Sequence, residues 1–152
     1  YDRPVPPPSP RQDHIGRAVL VIHRDFERRA LVELERRGHP LTRSLISILP
    51  HLDEAGTTTV TAAAHRAGIS KQAAGKLVDE LVRRGYVQRV PHPDDGRAVL
   101  VTFTAAGEGL VRDIEQTIRT IEDAYAEAIG REAFEALSSV LGQLRRAVEA
   151  AP

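Results

Sequence analysis

The sequence predicts a mainly α-helical chain with one small β-hairpin, an α+β class in which a winged helix-turn-helix is set among longer amphipathic helices. Three observations carry this. Apolar residues recur at spacings of three and four over three long stretches. Two short helical segments meet at Gly68-Ile69-Ser70. After Gly85 the period changes to two β-rich runs around a turn dense in Pro, Asp and Gly. A chain of 152 residues is one ordinary domain's worth and can hold a core without disulfides or a structural metal.

Five of the ten prolines fall within residues 1–10, which excludes helix and inner strand, so residues 1–12 are expected to be an extended arm. Helical periodicity then runs through Ile15, Val19, Ile22, Phe26, Ala30 and Leu34 until Gly38, and His39-Pro40 stops it, giving a first helix over about 13–37. Thr42 is placed to cap a second helix through Leu45, Ile48, Leu49 and Leu52 that ends before Gly56 and bends at Pro50. Thr59 or Thr61 caps a short Ala-rich helix closed by Gly68. Ser70 caps the next, whose apolar face is Leu77, Val78, Leu81 and Val82 and whose C-terminal glycine is Gly85. Tyr86–Val90 and Ala98–Phe103 read as the hairpin strands. Thr104 then caps a long helix through Leu110, Ile114, Ile118, Ile121, Tyr125 and Ile129 to Gly130. A last helix carries Phe134, Leu137, Leu141, Leu144 and Val148, antiparallel to its predecessor. The expected division is therefore the arm at 1–12, a helical dimerisation region at 13–40 and 105–152, and a winged helix-turn-helix at 41–104. The long apolar stripes exceed what one small helix-turn-helix core can cover, so a second copy is the expected partner, the alternative being that the stripes pack on each other in a monomer.

Composition removes several function classes. Without cysteine the chain has no disulfide scaffold, no Cys-ligated zinc or iron–sulfur site and no thiol nucleophile or redox sensor. The longest apolar run, Ala18–Ile22, is far too short to span a membrane. No leader pattern is present, and because the chain does not open on Met its natural start is expected further upstream. The expected compartment is the cytoplasm. The six histidines form no H-x-x-x-H or H-E-x-x-H pair, Gly68–Lys76 lacks the glycine spacing of a phosphate loop, and no Ser/His/Asp set is recognisable. No metal, no cofactor and no enzymatic activity are expected. The formal net charge of zero hides a cancellation: residues 57–104 carry 7 basic and 4 acidic groups, and residues 105–152 carry 5 and 9. The only two lysines, Lys71 and Lys76, lie in the basic segment.

Ser70-Lys71-Gln72-Ala73-Ala74-Gly75-Lys76 opens the second helix of the motif, the part that enters the major groove in a helix-turn-helix. There Gln72 can bond adenine bidentately, Lys76 can reach guanine or phosphate, and Ser70 can donate to phosphate. The small Ala73, Ala74 and Gly75 permit close approach. A mid-helix glycine costs about 1 kcal/mol relative to alanine, which asks for a reason such as tight packing. Arg97 follows the turn Pro93-Asp94-Asp95-Gly96, where an arginine on a protruding ribbon can enter a narrow minor groove. The bland reading pairs Arg97 with Asp94 or Asp95; the two are compatible, since an orienting carboxylate would preorganise the arginine.

The run from Asp95 to Gly107 resembles the D-x-R-x-x-x-L-x-L-T-x-x-G wing signature of MarR-family transcriptional regulators, with Val101 and Phe103 where that family usually has Leu. Ala64–Ser70 followed by Leu77–Arg89 is similar to the family's helix-turn-helix in order and spacing, with Ala63 in place of the usual Leu. The resemblance covers about 13–150 and is specific in 59–107. It implies a homodimeric winged-helix protein whose terminal helices form the interface. It also implies binding to a double-stranded DNA operator, often as a repressor, with release by a small, frequently aromatic or phenolic effector held where helices 1, 2 and 5 meet the winged part. Carried over by position, Ser70, Gln72, Ala73 and Lys76 are base- and groove-facing, and Arg97 reads from the wing. Lys71, Arg89 and Thr42 are phosphate contacts. The competing reading is a winged helix used for protein–protein assembly, its basic segment a solvated face.

Overall fold

The computed structural model describes residues 14–52, 57–92 and 98–150. Six α-helices and one hairpin follow in order: α1 (Ile15–Arg36), α2 (Arg43–Ile48), α3 (Val60–Arg66), α4 (Lys71–Arg83), β1 (Val87–Pro91), β2 (Val99–Phe103), α5 (Ala105–Ile129) and α6 (Arg131–Glu149). This is the expected mainly helical architecture with one antiparallel hairpin, whose register pairs Val87 with Phe103 and Pro91 with Val99.

Side-chain caps start α2, α3, α4 and α5. Thr42, Thr59, Ser70 and Thr104 each accept a hydrogen bond from the backbone N–H three residues on, at 3.1–3.3 Å. Thr59 rather than Thr61 starts α3, because Thr58 is already held in a backbone bridge to Val101 and Thr59 is the next hydroxyl free to cap. α2 is shorter than its apolar pattern predicts. Pro50 cannot supply an N–H to the ladder, and the chain passes from α2 into a 3-10 turn at Leu49–His51. α4 ends as expected: Gly85 takes a positive φ of 77°, and the Gly85 and Tyr86 N–H groups donate back to the Val82 and Leu81 carbonyls.

One core lies inside the winged part, built on Leu34, Leu45, Ile48, Leu52, Val78, Leu81, Val87, Val101 and Leu110. β2 runs straight into α5. The junction is tight because the Thr104 N–H donates to the Tyr86 carbonyl at 3.0 Å and Gly107 lies against that same carbonyl. A Cβ built on Gly107 would stand 1.9 Å from the Tyr86 oxygen, so only glycine fits there. α1 packs on α5, and α5 turns at Gly130 into α6. Leu34 is the one buried residue of α1, and α6 has none.

Candidate nucleic-acid interface

α3 and α4, joined through Gly68-Ile69-Ser70, form the helix-turn-helix, and the two faces of α4 are chemically opposite. Ala74, Val78 and Leu81 are buried in the core. Lys71, Gln72, Ala73 and Lys76 are exposed on the other side. Helical geometry forces this division, since positions 74, 78 and 81 share one stripe and 72, 76 and 79 another. Ser70 uses its hydroxyl oxygen to cap α4 at Ala73 (3.1 Å), which leaves its O–H proton to donate elsewhere. Neither lysine is ion-paired with a described residue. Two ammonium groups beside the positive end of the α4 dipole, with alanines between them, make a surface that favours an anion.

Arg89 sits on β1 with its Nη1 2.7 Å from Asp79 Oδ1, a link that ties the first wing strand to α4 and partly neutralises the guanidinium. Thr42 is exposed, and its hydroxyl oxygen caps α2 at Leu45. The structure thus gathers Ser70, Lys71, Gln72, Ala73 and Lys76 on one helix end, whereas Arg89 and Thr42 stand on separate elements. Asp94, Asp95 and Arg97 lie outside the described residues. Gly75 departs from its expected rationale: a Cβ there would meet nothing within 4 Å, so no packing within the chain demands the glycine.

Beyond this face, two apolar hollows flank Ile46 and Pro50. One lies between α2 and α5 against Val111, Ile114 and Ile118. The other lies between α1 and α2 against His23, Phe26, Ala30 and Leu31. A polar cluster that the sequence pattern did not reveal joins α1, α5 and the winged part through Arg37, His39, Tyr86 and Asp113. The hydrogen bonds that join them span 47 to 76 positions in the chain, so no local motif signals them. The Asp113 carboxyl is held below the usual carboxylate range, chiefly by the hydrogen bond from His39 and further by Arg37, against the opposing effect of burial. Asp25 is lowered in the same way by hydrogen bonds from Arg28 and from Tyr125, and then from Arg29.

A helix-turn-helix followed directly by a two-stranded ribbon, with an exposed cationic end on its second helix, defines a winged-helix protein. Comparison with known proteins agrees. Residues 39–98 match the model of the MarR family. An uncharacterized helix-turn-helix-type transcriptional regulator of Mycobacterium bovis is 36% identical over 73 residues, which is 48% of this chain and 51% of that protein. The multiple antibiotic resistance protein MarR of Escherichia coli is 37% identical over 43 residues, 28% of this chain and 30% of that one. The chain therefore spans about half the length, or less, of the curated relatives it matches. Among solved structures, wild-type apo MarR from E. coli superposes with a TM-score of 0.72 at 20% identity, covering 87% of this chain and 97% of that one. RV1404 from Mycobacterium tuberculosis gives 0.74 at 22%, covering 89% and 94%. The fold likeness thus extends through the helices on either side of the matched segment. No helix among the described residues is long and apolar enough to cross a membrane.

Proposed function

We propose that this protein is a homodimeric transcriptional regulator that binds double-stranded DNA through the exposed N-terminal half of α4 and through the wing. The carrying observation is the two-faced recognition helix: Ala74, Val78 and Leu81 buried, with Lys71, Gln72, Ala73 and Lys76 presented outward. In this reading Gln72 reads a base edge, Lys76 meets guanine or phosphate, and Ser70, Lys71, Thr42 and Arg89 hold the backbone. Arg97 enters the minor groove from the wing, with Asp94 and Asp95 orienting it. The Mycobacterium bovis relative is named a transcriptional regulator, which supports regulation rather than catalysis.

The second copy is supported by apolar surface. Ile15, Val19 and Ile22 of α1, and Leu137, Val140, Leu141, Leu144 and Val148 of α6, are 41% to 70% exposed in the single chain. Two copies pairing through them would present two recognition helices about one DNA turn apart, matching a pseudo-palindrome. The hollows around Ile46 and Pro50 suit a small, largely apolar effector. They lie between α2 of the winged part and the long helices α1 and α5, so occupancy there would shift the balance between DNA-binding and released forms, as expected of a ligand-relieved repressor working in the cytoplasm.

The test is titration of the purified protein against the DNA flanking its own gene at several salt concentrations, with sedimentation velocity alongside. Dimers and an affinity that falls steeply with salt are expected, since phosphate neutralisation releases counterions. A monomer with no DNA shift at low salt would sink the proposal and favour the protein–protein assembly reading.

A further inference from the structure

The winged part and the long helices are joined by a polar link that DNA contact does not require. α1 closes in a turn at Gly38, where φ is 89°, and the His39 N–H donates to the Leu34 carbonyl at 2.8 Å. His39 is thereby fixed to the last turn of α1. Both of its ring nitrogens are engaged: Nδ1 lies 2.8 Å from the Tyr86 hydroxyl and Nε2 2.8 Å from Asp113 Oδ2. A neutral imidazole with its proton on Nε2 satisfies the set, since the Tyr86 O–H donates to Nδ1 and Nε2–H donates to Asp113. Arg37 braces the other carboxylate oxygen at 3.3 Å and the Gln116 side chain at 2.8 Å, while its Nε donates to Glu33 at 2.9 Å. Next along the chain, Arg84 at the end of α4 donates to the Pro40 carbonyl at 2.6 Å. With only 15% of its side chain exposed, His39 is a directional joint among α1, α5 and the C-terminal end of α4, whereas α2 meets the long helices across two hollows and through the Arg43–Glu27 ion pair at 3.2 Å.

We infer that His39 is a positioning residue that sets the tilt of the recognition helix relative to the dimerisation helices, and through it the half-site spacing that a dimer accepts. This rests on the reading of the protein as a DNA-binding dimer. The lever is long. α4 has 13 residues. Tyr86 lies at its far end, so the DNA-facing residues are about 20 Å along the helix from the joint. A tilt of about 10° moves them by about 3.5 Å, one base-pair step.

The experiment uses the duplex that the wild-type protein selects from a random pool, together with versions whose half-sites are displaced by one and by two base pairs. Wild type, His39→Ala, Asp113→Ala and Tyr86→Phe are titrated against each, with thermal unfolding and sedimentation in parallel. Tyr86→Phe deletes only the hydroxyl and keeps the buried ring, so it separates the joint from the core. The expected result is a wild-type preference for its selected spacing that shrinks about fivefold or more in all three variants, the range of ordinary coupling between sites. Tyr86→Phe should show this with an unchanged dimer and nearly unchanged melting. A spacing preference retained in the variants, with or without lower thermal stability, overturns the inference while leaving DNA binding standing. Failure of the wild type to select any duplex overturns the DNA reading and the inference together.

Discussion

Two glycines in the winged part show how differently the same residue can be used. Gly107 is held against the Tyr86 carbonyl and the Phe103 ring, where an added Cβ would sit 1.9 Å and 2.8 Å away. Gly107→Ala must therefore push α5 off the hairpin, and a loss of about 2 kcal/mol or more is expected in denaturant unfolding. Gly75 has open space instead. Gly75→Ala should raise stability by about 1 kcal/mol through helix propensity alone. If α4 meets DNA as proposed, the same methyl group should weaken binding; unchanged affinity would count against close approach at that position. Gln72→Ala should alter preference at particular base pairs, whereas Arg97→Ala should weaken binding across sequences and lower the salt slope. Competition titrations with altered operators distinguish the two, and identical effects would argue against both assignments.

At the scale of elements, the helix boundaries follow from their caps. Thr59→Ala removes the bond to the Ala62 N–H and should cost about 1 kcal/mol. Most element starts and stops were legible because a cap and a terminal glycine act over three or four residues of sequence. α2 fell short of its expected length because a proline intervened, and at the start of α3, where the sequence left Thr59 and Thr61 open, a partner distant in sequence decided. The Thr58 bridge to Val101 spans the whole helix-turn-helix, and no local pattern announces it. α6 makes the complementary case. Its apolar stripe was readable from spacing, yet in the single chain it has no buried residue. Leu141→Glu with Leu144→Glu should leave the fold of the winged part intact and convert dimers to monomers in sedimentation velocity.

For the whole molecule, the bonds between the long helices carry a pH dependence. Asp25 bonds to Tyr125 at 3.0 Å and Asp113 bonds to His39, so both carboxylates tie α1 or its end to α5. Their folded-state pKa values are lowered. The stability they contribute is therefore fully present above the ordinary carboxylate value of about 3.9 and is lost as pH falls through the lower folded values. Thermal unfolding across the acid range should show this decline below about pH 4, and Asp25→Asn with Asp113→Asn should flatten it. The sequence by itself determined the helical periods, the caps, the hairpin and the charge division that places both lysines on α4, because each is a matter of neighbours within one or two turns. Only the tertiary structure decided why Gly107 admits no side chain, and that His39, Tyr86 and Asp113 meet. Those outcomes depend on contacts between groups dozens of residues apart, and packing of the whole chain is what brings them within hydrogen-bonding distance.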